Sequence, residues 1–359
     1  MTTLPQRIDS GALYSSGLEL AIEPFVQIRP EWARLASLCP EATIYQSDRW
    51  LTALTNAYGF KMVAATLRDS NGRLVAACLF ARGKNPFVRK WTSLPCSDSS
   101  PPLARDEGAR EQLLAAIAQS RLAAEGLVEI RGWSAPEPWR KATCFADWML
   151  DLDRPLSLIE RGLGSNFRRQ LHRGREGSFA IKVDRGLPGL MRFYRLALET
   201  RRRLGVPAQP WRFFQAVYDA FAPNDNLEVW SVSQRGMAIA ATVLLRDGED
   251  IHYKWSARIQ PTPMGANHRL VAAVLAEYAQ QCRFMHLGRT DTRNTGLSRF
   301  KKEMGAKPHP LPYSYLPQVP AHVSPEVLAD SQLRLSMVWR RLPLSVTRLL
   351  GSMLYQYIV

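Results

Sequence analysis

Two distant stretches of the chain are written on one pattern. Gly72 to Arg82 reads GRLVAACLFAR, and Gly236 to Arg246 reads GMAIAATVLLR. Each runs Gly, two residues, an apolar residue and Ala-Ala, then an apolar run closed by Arg. Each follows another apolar run across a short turn, AATLRDSNG in the first case and VWSVSQRG in the second. Asn-Gly or Arg-Gly between apolar runs is a hairpin signal. An aromatic-rich helical pattern precedes each hairpin, DRWLTALTNAYGF and PWRFFQAVYDAF. Helix, turn and Ala-Ala strand together predict two copies of one α/β unit. The length of 359 residues suits two such domains, each of roughly 150 residues.

The second copy continues legibly. IHYKWSA, 251–257, alternates as a strand, and PTPMGAN is a turn in which Asn267 is placed to cap the helix HRLVAAVLAEYAQQC. FMHLG reads as a short buried strand turning at Gly288. GLSRFKKEMGA reads as a short helix closed by Gly305, and PHPLPYSYL as a final, Pro-interrupted strand. Strands alternating with helices predict a mixed α/β sheet. After Leu316 the stretch PQVPAHVSPEVL is linker-like. In the segment that follows, Leu335, Val338, Leu342, Val346, Leu349, Met353 and Tyr357 recur at helical spacing. The expected division is 20–150 and 151–317 as domains, then 318–359 as linker and basic amphipathic helix.

Charge narrows the partners. Lys and Arg number 47 against 32 acids, a net of +15. Residues 161–212 hold 13 Lys/Arg against Glu176, Asp184 and Glu199, a net of +10. Clustering of this kind predicts an anionic partner. The stretch HLGRTDTRNTGLSRFKKEMGA adds Arg289, Arg293, Arg299, Lys301 and Lys302. The five cysteines are scattered, with no spacing that suggests zinc, and they fit core thiols in a reducing compartment. No helix-turn-helix or zinc-finger signature is present, so sequence-specific DNA binding is not expected. MTTLPQRIDSGALYSS lacks the plan of a signal peptide. No apolar run of about 18 residues predicts a membrane span.

The frame NFRRQLHRG, FYRLALETRRRLGVP, WRFFQAVYDAF, HYKWSA, HLGRT…GLSRFKKEMGA and PYSYL resembles the FemAB-like branch of the GNAT acyltransferase superfamily. The resemblance is carried best from about Ser165 to Leu316. It extends more loosely to the N-terminal half through YQSDRW, the Ala-Ala strand and SLPCSDSSPPL. It implies an α/β chain of two tandem GNAT-like domains with mixed sheets flanked by helices, plus the C-terminal amphipathic helix. It also implies transfer of an acyl group to an amine of a cell-envelope or polysaccharide precursor. Direct attack by the amine needs no metal and no covalent enzyme intermediate. The donor expected first is a thioester such as acyl-CoA. Aminoacyl-tRNA, as in transferases of peptidoglycan type, is the alternative. A non-catalytic, membrane-associated assembly protein is a third reading. RIQPTPMGAN, with two prolines and one Gly, is only a loose stand-in for a Gly-rich donor loop. The basic segment 161–212 could track the phosphates of tRNA.

The resemblance also ranks residues. Lys301 matches the Phe-Lys of the terminal FK…G motif, where a lysine stands near the donor–acceptor junction; the competing reading is an exposed helix charge. In the donor gap beside the fourth strand, Tyr253 and Trp255 are expected on one face, as donor contacts or as core. Arg289 stands where FMHLG ends, and strand carboxyl ends collect ligands; with Arg299 it is a candidate anion ligand, since guanidinium holds phosphate in bidentate fashion. His286 is a candidate general base or a buried, hydrogen-bonded imidazole. Asp291 would orient the amine or pair with Arg289. Arg168 and Arg169 are placed by the resemblance in a cleft, and Asn267 at the donor loop. The residues 334–359 are read either as lying on an anionic bilayer or as packing back on the protein. Together these readings set the chain in the cytoplasm, with attachment to the inner face of the membrane as the variant.

Overall fold

The computed structural model describes residues 18–85, 88–320 and 330–358, and the side chains of the C-terminal stretch from Ser336 to Tyr357. The N-terminal stretch read for a leader, most of the linker, and the side chains of Arg334 and Leu335 lie outside the described residues.

The first copy begins with β1 (Glu19–Pro24), α1 (Phe25–Leu38) and α2 (Asp48–Tyr58). Ser47 caps α2, its hydroxyl accepting from Trp50 N at 3.3 Å, and Gly59 ends the helix at φ 61°. The hairpin β2 (Met62–Arg68) and β3 (Leu74–Arg82) follows, then β4 (Lys90–Thr92), β5 (Leu103–Ala104), α3 (Glu107–Ala118), α4 (Arg121–Glu125), β6 (Leu127–Arg131) and β7 (Arg140–Ala142). The second copy runs β8 (Phe145–Asp151), α5 (Leu156–Gly162), α6 (Ser165–Glu176), β9 (Ala180–Asp184), α7 (Leu187–Leu204), α8 (Trp211–Phe221), the hairpin β10 (Leu227–Gln234) and β11 (Met237–Asp247), β12 (Asp250–Arg258), α9 (Ala266–Tyr278), β13 (Phe284–Asp291), α10 (Thr295–Glu303) and β14 (Lys307–Pro310). Then come β15 (Tyr313–Leu316), α11 (Asp330–Arg341) and α12 (Leu344–Ile358).

The repeat is now explicit. One sheet has the order β1-β2-β3-β4-β6-β15-β7, with β5 beside β3, and the other β9-β10-β11-β12-β13-β8-β14. In each, neighbouring strands are antiparallel except at the fourth and fifth positions, where β4–β6 and β12–β13 are parallel. The sixth position of each sheet is taken by a strand from the other end of the repeat. β15 pairs β6 and β7 in the first sheet, and β8 pairs β13 and β14 in the second. The division of the chain follows: among the described residues, those up to Thr143 together with 311–320 and the last turn from Gln356 form one compact unit, and Cys144–Pro310 together with 330–355 form the other. The expected boundary at 150 therefore cuts through β8, and the expected end at 317 includes a strand of the other sheet. PHPLPYSYL is not one interrupted strand but two, in different sheets. Apolar packing fixes the exchange: Leu316 joins Phe80, Val128 and Ile130, while Trp148 and Leu150 join Leu244, Leu270 and Met285.

The expected C-terminal helix is two helices, α11 and α12, broken at Pro343, whose ring and missing N–H do not fit a helix interior. Among the described residues no helix is long and apolar enough to cross a membrane. Cys39, Cys78, Cys144 and Cys282 are buried thiols.

Candidate active site

The second sheet opens at its parallel pair. β12 and β13 are matched only at Ile251↔Met285 and His252↔His286. Beyond that point each strand keeps only its outer partner, β12 with β11 as far as Arg258 and β13 with β8 as far as Asp291. An irregularity sits on each outer ladder where the strands part, between Val243 and Leu244 and between His286 and Gly288. Such bulges bend a strand and increase its twist, and together they hold a wedge open between β12 and β13. Gly288, at φ 70°, supplies the backbone that the second bulge needs. The turn expected at Gly288 is thus a bulge, and the strand continues to Asp291 because β8 supplies a ladder that the sequence did not reveal.

Lys301 reaches this wedge. Asn294 caps α10, its side-chain oxygen accepting from Leu297 N at 3.1 Å, and the helix points Lys301 inward to 5 % exposure. Lys301 Nζ donates to the Gly288 carbonyl at 2.6 Å. The reading of Lys301 as a solvated helix charge is overturned. Its neighbours Arg299 and Lys302 are exposed, as expected when adjacent helical residues point about 100° apart. Glu303 locks α10 to α6: its carbonyl accepts from Gly164 N at 2.8 Å and its carboxylate from Phe167 N at 3.1 Å. That carboxylate satisfies an amide of the first turn of α6 and complements the helix dipole.

The first turn of α9 is also covered. α9 starts at Ala266, so Asn267 is not its cap; Gly265 holds that place at φ 79°. A Cβ on Gly265 would lie 2.4 Å from Gly174 Cα and 2.6 Å from the Gln170 carbonyl. The backbone of α6 therefore rests directly on the start of α9, where a helix N-terminus could otherwise hold a diphosphate. Asn267 is 7 % exposed, and its Oδ1 has no partner among the described residues. His268, which sequence reasoning missed, packs edge-on against Phe167 at 4.8 Å and Phe300 at 6.1 Å. Burial, aided by Arg258, pushes its pKa down to about 4, so it is neutral at pH 7. No local pattern marks it, because its partners come from α6 and α10.

His286 lies elsewhere. Met285 belongs to the core on the α9 side, and His286 turns to the other face. There its Nε2 is 3.1 Å from Asp250 Oδ2 and its Nδ1 3.9 Å from Asp147 Oδ2, and it stacks on His252 at 4.4 Å. Burial alone would lower its pKa, but the two carboxylates push it up to about 9. An imidazolium at pH 7 has no lone pair to accept a proton, so the general-base reading is set aside.

Tyr253 and Trp255 do not share a face. Trp255 pairs with Val243 and Tyr253 with the next residue, Leu244, so the bulge turns them to opposite sides. Tyr253 joins the α9-side core at 9 % exposure, whereas Trp255 packs edge-on against Phe213 and Phe214 of α8 at 5.7 and 5.3 Å. Arg289, inside β13, lies over the Phe145 ring at 4.5 Å. Asp291 accepts from Arg293, whose Nε donates at 2.8 Å; that hydrogen bond, with the charge of Arg289 adding to it, holds its carboxyl below the usual range. Arg168 and Arg169 are exposed on α6, donating to the Arg161 carbonyl at 3.2 Å and to Asn166 Oδ1 at 2.8 Å. Lys301 thus meets the wedge through the Gly288 carbonyl, Tyr253, Asn267 and His268 sit in the packing around α9, and Arg168, Arg169 and Arg299 lie on the surface.

The first sheet has the same parallel pair, but its gap is filled. After Thr92 the chain crosses to β6: Ser93 N donates to the Glu129 carbonyl at 2.8 Å and Ser100 bridges Arg131. Arg131 donates to the Ser97 carbonyl at 2.8 Å and pairs with buried Glu129, which Lys90 also meets at 2.6 Å. Burial would raise the Glu129 pKa, and the two cations overcome it and hold it at about 2. Of the two repeats, the second is the one with an open wedge and a buried ammonium at its edge.

Residues 163–302 match the family model of the acetyltransferase (GNAT) domain. No curated protein matches the chain. Among solved structures, FemX is similar at 12 % identity over 79 % of this chain and 95 % of that one, TM-score 0.56. A tandem GNAT protein from the clavulanic acid biosynthesis pathway is similar at 12 % identity over 83 % and 98 %, TM-score 0.52. The C-terminal domain of a putative lysylphosphatidylglycerol synthetase from Agrobacterium fabrum is similar at 13 % identity over 81 % and 94 %, TM-score 0.52. The matched segment is similar to a GNAT acetyltransferase domain, and the repeated mixed sheet with its splayed parallel pair has the double-unit fold of FemX and of the tandem GNAT protein.

Proposed function

We propose that the protein transfers an acyl group from an activated carbonyl donor to an amine, with the amine carried on a cell-envelope or polysaccharide precursor. The observation that carries this reading is the buried Lys301 ammonium at the Gly288 bulge, on the edge of the wedge. A donor lying between β12 and β13 would bring its carbonyl to that edge. The neutral amine attacks the carbonyl carbon and the oxygen becomes an oxyanion. Collapse breaks the bond to the thioester sulfur or ester oxygen, and the proton lost by nitrogen neutralises the leaving group. A cation preorganised at that edge stabilises the negative charge that develops on the carbonyl oxygen.

The donor is a thioester such as acyl-CoA or an aminoacyl ester carried on tRNA. The close packing of Gly174 on Gly265 favours the second, because a diphosphate has no room at the start of α9. Exposed Arg168, Arg169, Arg173 and Arg175 on α6 offer phosphate contacts to such a donor.

The test is an acceptor-mass assay. Amino sugars and peptidoglycan precursors are incubated with the protein and either acetyl-CoA or alanyl-tRNA. The expected result is an acyl or aminoacyl mass added at an amine, lost in Lys301→Met. Failure of both donors, or an unchanged rate in a folded Lys301→Met, would overturn the reading.

A further inference from the structure

The two C-terminal helices are amphipathic the wrong way round for a solvent-facing pair. α11 and α12 dock through small residues. Ser336 sits against Gly205 so closely that a Cβ there would lie 2.7 Å from Ser336 Cβ, and a Cβ on Gly351 would lie 2.7 Å from the Ala208 carbonyl. Thr347, one turn before Gly351, is 2 % exposed. Arg212 Nη2 donates to the Ser352 carbonyl at 3.2 Å and ties α12 to α8. The large apolar residues face out instead. On α12 these include Val346 at 36 %, Leu349 at 60 %, Met353 at 56 % and Tyr357 at 42 % exposure, and on α11 Met337 at 54 % and Val338 at 59 %.

The four α12 residues follow each other at helical intervals, so they form one stripe down the helix. A helix that buries its small residues and presents a bulky stripe marks an interaction surface. The rim says of what kind. Arg340 and Arg341, in the last turn of α11, are exposed, and no acid occurs after Asp330. Apolar residues next to arginine match the interface of an anionic bilayer, where cations near the surface are attracted to the lipid headgroups and the stripe enters the acyl boundary. An acidic protein surface would meet the arginines but leave the stripe in water. A second copy would bring like charges together.

We infer that α11 and α12 form a docking surface for anionic phospholipid, on which the protein lies without crossing the membrane. The surface is separate from the wedge, so the inference stands or falls independently of the proposed activity.

The full chain is tested by sedimentation with vesicles of phosphatidylcholine alone and with one-third phosphatidylglycerol, at low and at 0.5 M salt. The expected result is binding to the anionic vesicles at low salt, weakened at least tenfold by high salt and by neutral lipid. Leu349→Asp and Met353→Asp lie on the exposed stripe and should fold normally by circular dichroism, yet abolish binding. Arg340→Ser with Arg341→Ser should weaken binding about tenfold or more. No binding by the wild type, equal binding to neutral vesicles, or undiminished binding by folded Leu349→Asp would overturn the inference. So would a wild-type dimer, by light scattering, that Leu349→Asp turns into a monomer.

Discussion

Replacing Lys301 by Met keeps an unbranched stem of similar length and removes the ammonium from the Gly288 carbonyl. The expected loss in kcat/KM is about 10²–10³, the scale of removing one preorganised oxyanion donor, and steady-state kinetics with the responsive donor would read it. Two histidines make opposite demands on pH. The native pKa of His286, about 9, lies above its ordinary 6.5, so its stabilisation is complete below about 6.5 and is lost as pH rises through 9. That contribution is at most about 3 kcal/mol. The native pKa of His268, about 4, lies below 6.5, so stability falls as pH drops from about 6.5 towards 4. Melting temperature should therefore peak near the ordinary histidine pKa. His286→Gln should flatten the alkaline arm and His268→Asn the acid arm; unchanged arms would contradict the assignments. The helix that carries Lys301 was legible because its pattern is local. The state of His286 was not, because Asp147 and Asp250 reach it from two other strands.

At the scale of elements, the hairpins, α8, α10 and the Ala-Ala strands were readable from period and turn residues. What escaped were the features that shape the wedge. A bulge moves residues across a sheet without changing composition, so the alternation of Tyr253 and Trp255 misled. The extension of β13 past Gly288 depended on β8, a partner more than a hundred residues earlier in the chain. The seat of α6 on α9 rests on Gly174 and Gly265, which look like ordinary glycines in sequence. Gly265→Ala must accept both a left-handed backbone and a Cβ driven into α6. The expected cost is about 2–4 kcal/mol, seen as a lower urea midpoint. An unchanged midpoint would show that the two helices do not touch there.

At the scale of the whole molecule, the internal repeat announced two units, but not which strands belong to each. Four-residue apolar segments such as Tyr313–Leu316 carry no mark of the sheet they join. A fragment of residues 151–317 lacks nearly all of β8, leaves β13 and β14 with open edges and carries β15 without its partners. Open edges invite association. It should aggregate in size-exclusion chromatography, whereas residues 144–310, which keep β8, should elute as a folded species. Equal behaviour would contradict the strand exchange. The exchange also sets a calendar for synthesis. The ribosome delivers β8 before the strands it separates, so the second sheet can close as its own residues emerge. The first sheet holds an empty slot between β6 and β7 until β15 arrives, some 180 residues later in translation. A nascent chain stalled before Leu311 would therefore carry its older half unfinished, with the slot open to the cell's holdases, while the younger half nears completion.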